Sequence, residues 1–265
     1  MAPRDFLKLQ TKRELEYLTA PGLAKRTGSV FAFTTRTGGV SGAPYESLNL
    51  GHNTSDSREH VRANRARAMQ ALGLNNSVLT TANQIHGNRV ARIERPPDPG
   101  PDLAQPVADA DALVTDVPGT PLALFFADCV PIFLIDPEHH ALGLAHAGWK
   151  GTAAGVGPAA LETMVQAFGT RPEKTYALVG PSIGPCCYRV DKKRSDLFAA
   201  QFPGAVHSGN SLDLGRANRM ALETAGVPRS RIISTRLCTS CNPELFFSYR
   251  RDRETGRHAA VGCVL

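Results

Sequence analysis

A thiol and an imidazole flank two consecutive apolar runs in the middle of the sequence. Cys129 stands directly before the run VPIFLID, and His146 lies near the end of the following run, ALGLAHAG. The short segment PEHH between the runs has the length of a hairpin turn, so we expect the two runs to pair as antiparallel strands. If Asp136 pairs with Ala141, the thiol and the imidazole become diagonal neighbours on one face, about 7 to 8 Å apart. At that separation they can share one metal ion or one substrate atom.

The register of this hairpin decides the prediction, because a slip of one residue places the two side chains on opposite faces. The chain then continues through Gly148, Trp149 and Gly151 into a predicted helix. Free backbone N–H groups at such a junction can bind an anion. The alternative is an ordinary strand-to-helix turn in which Trp149 and His146 are packed in the core.

Other residues in the sequence also have metal-binding or anion-binding chemistry. His86 ends a β-rich run in NQIHGNRV, but its spacing does not show that it reaches the hairpin. Cys238 and Cys241 have the C-x-x-C spacing of half a zinc site or of a redox pair, without a second pair at the usual distance. We interpret Cys186 and Cys187 as small packing residues. The turn RTGGVS after a predicted strand is a phosphate or carboxylate site, or an ordinary turn.

The remaining histidines lie in predicted loops, turns or helices. We expect these side chains to face solvent: His52, His60, His139, His140, His207 and His258.

Composition limits the class of protein. The chain has 265 residues, 42% of them hydrophobic, which is enough for a substantial core, and we predict a single domain over residues 1–265. The sequence has no secretory signal and no run of the roughly 20 apolar residues that a spanning helix needs. Six cysteines are too few for a disulfide scaffold of this size. We therefore expect a reduced, cytoplasmic protein without a membrane partner.

Charge suggests the chemistry of the ligand. The net charge is +6 and the sequence pI is about 9.1, which suits anionic ligands. The basic residues are spread along the chain without Lys/Arg runs or interleaved aromatic residues, so we predict no nucleic-acid partner. The alternative is a basic binding protein without chemistry, which would bind nucleic acid in a strongly salt-dependent way.

Short β-rich runs alternate with helical runs, which predicts a mixed α/β (α+β) fold. A helix is expected from Asp56, with Glu59 at the capping-box spacing, to Gly73. The predicted strands cover 30–36, 78–86, 112–116, 121–128, 130–136, 141–148, 176–180, 231–238 and 259–265. The other predicted helices cover 152–168, 194–202 and 216–225. The proline-rich segment 96–106 is expected to be a surface loop without regular structure.

Many ordered segments resemble one known family, the laccase-domain proteins, also called multicopper polyphenol oxidases. Bacterial members of that family are described as purine nucleoside phosphorylases or peptidoglycan editing factors. The resemblance extends from about residue 30 to the C-terminus. Its segments are TTRTGGVS (34–41), SLNLG (47–51), QIHG (84–87), ADALVTD (110–116), ADCVP (127–131), HAGWKG (146–151), GPSIGPCCY (180–188) and CTSC to FFSYRRDRETGR (238–257). One departure is Arg189, where the family often has an acidic residue.

The resemblance implies layered mixed β-sheets flanked by helices, similar to the cytotoxic-necrotizing-factor-like cysteine hydrolase fold. It implies that His86, Cys129 and His146 are the metal ligands and the catalytic centre, with zinc as the usual ion and copper as the alternative. Two imidazoles and one thiolate with an open position match the ligands of catalytic zinc.

The implied reactions are phosphorolysis of adenosine, inosine and methylthioadenosine, together with deamination of adenosine. The expected partners are therefore a purine nucleoside and phosphate, bound by a monomer or homodimer. We assign Arg36 and Asn49 to substrate contact. Asp111 and Asp128 are assigned to the substrate site in orienting or proton-transfer roles.

Two other enzymatic functions are alternatives. In the first, Cys129 is a metal-free nucleophile and His146 its base, in a hydrolase or amidase that acts on a peptidoglycan precursor. The second is a copper-dependent polyphenol oxidase. A conventional laccase needs many clustered histidines, whereas this chain has 8 histidines and no H-x-H pair.

Overall fold

Two mixed β-sheets pack face to face at the centre of the molecule, with helices on their outer faces. The computed structural model describes residues 7–74, 77–98 and 104–265. Helix α2 (Arg58–Leu72) covers the outer face of the first sheet, and helices α4 (Val156–Phe168) and α6 (Leu214–Thr224) cover that of the second. This layered arrangement confirms the predicted mixed α/β class.

The first sheet is antiparallel except at one edge, where β4 lies parallel to both of its neighbours. Its strands, in spatial order, are β1 (Lys8–Lys12), β2 (Leu15–Thr19), β3 (Ser29–Thr34), β15 (His258–Val264), β8 (Leu122–Phe126), β4 (Leu79–Asn83) and β6 (Ala104–Asp109).

The second sheet is also mixed, with parallel pairs at its two edges. Its strands, in spatial order, are β14 (Ile232–Ser234), β11 (Tyr176–Val179), β9 (Val130–Asp136), β10 (Ala141–Ala147), β7 (Ala112–Thr115) and β5 (Val90–Arg92). The remaining elements are β12 (Val206–His207), β13 (Ser211–Leu212), α1 (Pro21–Thr27), α3 (Trp149–Ala153), α5 (Lys192–Gln201) and α7 (Tyr249–Asp252).

The hairpin formed by β9 and β10 lies between the first sheet and the helices, which explains its continuous apolar sequence. Phe133 faces the first sheet, where its ring centroid is 5.1 Å from that of Phe33. Ile132 and Leu134 face the opposite way and pack in the same cluster as α4. Strands buried on both faces are apolar at every position rather than at alternate ones. The predicted register is confirmed, because Ala141 pairs with Asp136.

The first long helix begins later than predicted. Ser57 is its N-cap residue and Arg58 its first residue, so Asp56 does not cap it. The Asp56 carboxylate instead accepts hydrogen bonds from the Ser41 hydroxyl and the Asn49 amide. The predicted end is confirmed, because Gly73 has a left-handed φ of 77° there, which glycine adopts without steric strain.

The predicted helix over 152–168 is two helices. α3 ends at Ala153, and α4 begins at Val156 after Gly155, whose φ of 75° interrupts the helical backbone. The two later helices begin two residues before their predicted starts, because Asp191 and Asp213 accept N-cap hydrogen bonds from backbone N–H groups.

The proline-rich segment is partly regular, against prediction. Residues 104–106 belong to β6 at the edge of the first sheet. Proline is tolerated in an edge strand, because the N–H that it lacks is not needed for pairing on the unpaired side of that strand. Residues 99–103 of that segment lie outside the described residues. The strands β1 and β2 near the N-terminus were not predicted. β1 is exposed on both faces and shows no hydrophobic alternation, so its sequence gives no strand signal.

Within the described ranges, every helix is too short or too polar to cross a lipid bilayer.

Candidate functional site

Three side chains that are distant in sequence meet where loops of both sheets come together. One ligand atom from each of His86, Cys129 and His146 lies within 4.8 Å of the others. The rings of the two histidines stand nearly perpendicular, at 85°, with centroids 4.9 Å apart. The structure therefore brings together all three residues that the family resemblance implied, and we call them the His–Cys–His site.

The hairpin positions two members of this site. Cys129 directly precedes β9, and His146 lies in β10 opposite Pro131. Both side chains point to the first sheet, where the thiol packs in the core between the sheets and the imidazole lies against Phe126 at 5.3 Å. This is the diagonal arrangement that side-chain alternation predicts.

Asp111 holds His146 from the neighbouring strand. It directly precedes β7, and its carbonyl accepts a 2.7 Å hydrogen bond from the backbone N–H of His146, which extends the β7–β10 ladder. Its carboxylate Oδ1 lies 2.9 Å from His146 Nδ1, and both side chains are buried. The carboxylate thus fixes the ring proton on Nδ1 and directs Nε2 towards the other two members of the site.

The same carboxylate orders the loop that carries His86. It accepts hydrogen bonds from the backbone N–H groups of Ile85, His86 and Gly87 at 3.2, 3.0 and 2.6 Å. His86 itself has a φ of 60°, which is unusual for a residue with a side chain. Asp111 therefore holds both histidines of the His–Cys–His site in place.

Gln84 anchors the start of this loop to the first sheet. Its side-chain amide donates to the carbonyl of Phe125 and accepts from the N–H of the same residue, both at 2.9 Å. The amide group thereby makes the two hydrogen bonds to the backbone of β8 that a neighbouring strand would otherwise make. The His86 loop is consequently held from the first sheet and from Asp111 together.

Close packing at the site requires a glycine after the strand. A Cβ atom on Gly148 would lie 3.0 Å from Cys129 Sγ and 3.4 Å from His86 Cδ2. Gly148 also precedes the short helix α3 as its N-cap residue. The glycine of HAGWKG thus leaves room for the thiol and the imidazole.

The electrostatics of the site favour a charged pair. Burial alone would raise the pKa of Cys129, but the charge of His146 and hydrogen bonds from both histidines lower that pKa to about 6. Burial alone would lower the pKa of His146, whereas the Cys129 thiolate and Asp111 raise it to about 9. Burial also opposes ionisation of Asp111, but hydrogen bonds from His146 and Gly87 hold its pKa below the ordinary value. The surroundings of the metal-free site thus favour a thiolate at Cys129 beside an imidazolium at His146.

The site opens into a cavity of about 590 Å³. Five arginines line this cavity: Arg65, Arg194, Arg250, Arg253 and Arg257. Four aromatic side chains also line it: Phe125, Trp149, Tyr188 and Tyr249. The guanidinium of Arg194 lies 4.1 Å from the centroid of Trp149, and that of Arg250 lies 4.9 Å from Tyr188. Positive charge and flat apolar surfaces therefore stand side by side.

Asp128 lines the cavity beside Cys129, but its carboxylate has internal partners. Oδ1 accepts from the hydroxyls of Thr239 and Ser248, both at 2.7 Å, and Oδ2 accepts from the backbone N–H of Arg250 at 2.6 Å. The side chain therefore fastens the start of α7, which carries the cavity residue Arg250, to the turn before Cys129.

Two predicted substrate contacts are not among the residues that line the cavity. The Arg36 guanidinium donates to the carbonyls of Glu46 and Pro243 and lies over the ring of Phe247. The buried amide of Asn49 donates to Thr54 and Asp56 and accepts from the backbone of Gly51 and Arg257. Both side chains hold loops together.

Among the histidines expected to face solvent, one is buried and another lines the cavity. His258 is buried, in ring contact with Phe126 and Phe246. His52 lines the cavity, with Nε2 2.6 Å from Arg65 Nη1. Trp149 packs against the core and also lines the cavity, so it is more than the packing residue that its isolation in the sequence suggests.

The cavity arginines were not singled out from the sequence, because arginine is usually a surface residue. The arginine-rich segment YRRDRETGR at 249–257 was the available signal, because it contains three of them: Arg250, Arg253 and Arg257. Their convergence with Arg65 and Arg194 depends on the packing of separate elements.

The fold and this site define an α/β protein in which a thiol and two imidazoles meet at an arginine-lined cavity. The chain belongs to the multi-copper polyphenol oxidoreductase laccase family, whose sequence model matches residues 30–264.

Relatives within this family are named for activity on nucleosides. The chain is 41% identical over 249 residues to the purine nucleoside phosphorylase YlmD of Geobacillus stearothermophilus, covering 88% of this chain and 89% of the relative. It is 41% identical over 257 residues to a purine nucleoside phosphorylase of Deinococcus radiodurans, covering 92% and 94%. The crystal structure of the Geobacillus YlmD superposes with a TM-score of 0.89 at 37% identity, over 98% of each chain.

The multicopper name does not fit the side chains of this protein. The described residues include all eight histidines. Among these described residues, two groups of three or more His, Cys, Asp or Glu side chains lie close enough to share a metal ion, and only one of the two contains histidine. A trinuclear copper cluster needs many histidines in one place. The His–Cys–His site has a donor set for one ion.

Proposed function

We propose that this protein is a zinc-dependent purine nucleoside phosphorylase. The observation that carries the proposal is that one cavity contains the His–Cys–His site, aromatic surfaces and several arginines. The names of its relatives support the same activity. Residues of both sheets line the cavity, so we also propose that residues 1–265 act as one domain.

The cavity offers separate chemistry for the two substrates. A purine has a flat apolar face that stacks on rings such as Trp149 and Tyr188. Phosphate needs positive charge and N–H donors, which arginine presents as a planar fork. Arg253 lines the cavity and is in ring contact with Tyr249, which suits it to bind phosphate. The acidic Asp128 does not oppose this charge fully, because its carboxylate accepts three internal hydrogen bonds.

The His–Cys–His site fits zinc through its donor atoms. Imidazole and thiolate are both ligands of catalytic zinc, which takes three protein donors and keeps a fourth position open, and Asp111 leaves His146 Nε2 as the ligand atom. Zinc, when bound, supplies a Lewis acid that polarises a substrate oxygen or activates water. Binding requires loss of the proton that His146 carries in the metal-free pair.

The chain's own residues bind and orient the reactants. Stacking holds the purine, and arginines hold phosphate near the sugar, so that two bound reactants meet in one orientation. In phosphorolysis the bond between the sugar C1′ and the purine nitrogen breaks, and a bond from C1′ to a phosphate oxygen forms. The positive charge of the arginines stabilises the phosphate in this position.

We further propose adenosine, inosine and methylthioadenosine as substrates, and adenosine deamination as a second reaction at the same site. Deamination replaces the purine amino group with oxygen from water and releases ammonia. It requires no phosphate, so the two reactions are separable in one assay.

The test measures products from each nucleoside with and without phosphate, together with the metal content. We expect free base and sugar 1-phosphate only when phosphate is present, and inosine from adenosine in either condition. Arg253→Gln should raise KM for phosphate about tenfold or more, which is the usual effect of losing one charged hydrogen bond. Arg62→Gln, on the exposed face of α2, is the matched control. A zinc-loaded protein without phosphate-dependent product from any nucleoside contradicts the proposal.

A second candidate function is a thiol hydrolase or amidase, favoured by the chain of contacts from Cys129 through His146 to Asp111. A thiolate next to an imidazole oriented by a carboxylate is the arrangement of cysteine hydrolases. Chelation distinguishes the two functions. Full activity in a protein stripped of metal favours the thiol mechanism, and recovery only after zinc is restored favours the phosphorylase.

A further inference from the structure

Four other cysteines converge on the surface of the molecule. The Sγ atoms of Cys186, Cys187, Cys238 and Cys241 all lie within 4.8 Å of one another. Two of the separations from Cys241 are 3.5 Å, to Cys186, and 3.3 Å, to Cys187. We call these residues the four-cysteine cluster. The adjacent Cys186 and Cys187 on one loop thus lie next to the C-x-x-C pair on a second loop, and together they make a set of four thiols.

Two tight loops build this cluster, and their backbones are joined beside it. Ser182 and Cys238 form an isolated parallel β-bridge, and the N–H of Thr239 donates to the carbonyl of Ser182 at 3.1 Å. The Gly184 carbonyl then accepts from the N–H groups of Cys187 and Tyr188, both at 3.0 Å, which turns the first loop back on itself. The convergence is therefore a property of the backbone of both loops.

A backbone donor also points at one of the sulfurs. The N–H of Gly184 lies 3.2 Å from Cys238 Sγ. A hydrogen bond to sulfur stabilises the thiolate form, which is the form that binds metal. A Cβ on Gly184 would lie 3.3 Å from both Cys186 Sγ and Cys238 Cβ, so glycine permits this close approach.

We propose that the four-cysteine cluster binds one Zn²⁺ ion as a structural site, separate from the His–Cys–His site. Four thiolates are a closed ligand set for structural zinc. Sulfurs about 2.3 Å from a tetrahedral zinc ion lie about 3.8 Å from each other, which falls among the separations observed here. An iron–sulfur cluster would place several iron and sulfide ions between its cysteines and so hold the thiolates farther apart.

Disulfide formation accounts for the cluster less well. All six cysteines of the chain are free in the structure. A single disulfide joins two cysteines, whereas here four sulfurs lie within 4.8 Å of one another. A redox pair needs only the two cysteines of a C-x-x-C, whereas two further cysteines beside it complete the four thiolates of a structural zinc site.

The loops of the four-cysteine cluster are hydrogen-bonded to the turn before Cys129 and form part of the cavity wall. Thr239, inside the C-x-x-C, donates to the carboxylate of Asp128, and the N–H of Ile183 donates to the carbonyl of the same residue at 2.9 Å. Ile183 and Tyr188, which flank the cysteine pair of the first loop, line the cavity. An ion that ties the two loops together would therefore brace one wall of the cavity and the turn before Cys129.

Zinc analysis of the full chain, purified under reducing conditions, tests this proposal without reference to turnover. We expect two zinc ions per chain in the wild type, one in Cys129→Ala and one in the double variant Cys186→Ser/Cys241→Ser. Cys263→Ser, which alters a buried cysteine of β15 outside both groups, is the matched control and should retain two. The double variant should also melt about 5 °C or more below the control, because structural zinc contributes to folding free energy.

Cobalt binding provides a second measurement if the double variant does not fold. Metal-free Cys129→Ala protein should take up one Co²⁺ with the strong thiolate-to-metal absorption of a tetrathiolate site. A wild type with a single zinc ion that Cys129→Ala removes would overturn the proposal. So would a zinc-free cluster whose thiols prove, by intact mass without reductant, to be joined in disulfide bonds.

Discussion

The His–Cys–His site and the four-cysteine cluster differ in how the fold assembles them. The first takes one residue from each of three separate loops or strands and lies at the wall of a cavity. The second takes two residues from each of two short loops, and two of its cysteines are exposed. Three protein ligands leave a position for a reactant, whereas four close the coordination sphere. Under the two proposals, the number and source of the ligands therefore distinguish a metal site that can bind a reactant from one that only stabilises the fold.

The two groups also differ in what surrounds them. Asp111 fixes both histidines of the His–Cys–His site through a side-chain contact and backbone hydrogen bonds. The four-cysteine cluster depends on backbone contacts at Gly184 and Cys238. Asp128 joins the two regions, since it directly precedes Cys129 and accepts from Thr239. Substitutions in one region should thus change catalysis and those in the other should change stability.

The largest expected effect on activity comes from Cys129→Ala. Loss of this thiolate removes one of three ligands, so nucleoside turnover should fall by more than about a hundredfold. Its melting temperature should change less than that of the four-cysteine variant, and zinc analysis should still find the second ion. Cys263→Ala is the control for removal of a buried thiol. Wild-type turnover in Cys129→Ala would show that this cysteine is not part of the reaction.

Asp111→Asn should have the next largest effect. Asparagine keeps one acceptor oxygen, but its amide N–H₂ group would face backbone N–H donors of the His86 loop or the ring N–H of His146. We expect zinc affinity at the His–Cys–His site to fall about 10- to 100-fold. Competition with a chelator measures this affinity.

Asp136→Asn is a matched control, because Asp136 is also a buried aspartate that holds a histidine, His139, at 2.8 Å and accepts backbone N–H bonds. It is the last residue of β9, at the turn end of the hairpin and away from the His–Cys–His site, so zinc affinity should not change. Equal losses in both variants would assign the effect of Asp111 to general destabilisation.

Gly148→Ala should weaken metal binding by a smaller factor. The new methyl group would lie 3.0 Å from Cys129 Sγ, which crowds the thiol. Overpacking of about 1 kcal/mol corresponds to about a fivefold loss of affinity. Gly42→Ala is the control, because a Cβ there has no neighbour within 4 Å among the described residues. Unchanged zinc affinity in Gly148→Ala would show that the site tolerates the extra methyl group.

The smallest effect at neutral pH is expected for His258→Leu. Burial, together with the charge of Arg257, lowers the pKa of His258 from its ordinary 6.5 to about 3. In contrast to His146, it has no hydrogen-bond partner for either ring nitrogen among the described residues. Below pH 6.5 the unfolded chain binds a proton that the folded chain does not, so the stability of the wild type falls as pH drops towards 3.

Denaturant unfolding between about pH 6 and pH 4 checks this prediction. His258→Leu should reduce the dependence of unfolding free energy on pH by up to about 1.4 kcal/mol per pH unit. His207→Phe, at an exposed position, should leave the slope as it is. A wild-type slope in His258→Leu would mean that the buried imidazole is protonated in the folded protein.

Much of the local structure followed from sequence patterns. The hairpin register was predictable because a short turn joins two apolar runs and side chains alternate with period two. Helix ends were less predictable, because Asp56 and Ser57 both suit an N-cap and tertiary hydrogen bonds of Asp56 decide between them. The edge strand β6 was missed because proline there signals a loop unless a neighbouring strand is known.

The sequence by itself placed Cys129 and His146 on one face, since that prediction needs only local pairing. Family resemblance supplied His86 as their neighbour. Only the tertiary structure brought the arginines to one cavity, placed Arg36 and Asn49 outside the residues that line it, and brought Cys186 and Cys187 close to Cys238 and Cys241. Those contacts connect positions with no shared periodicity, and the physical reason is that sheet packing and loop hydrogen bonds determine them. The spacing of residues along the chain therefore does not predict these contacts.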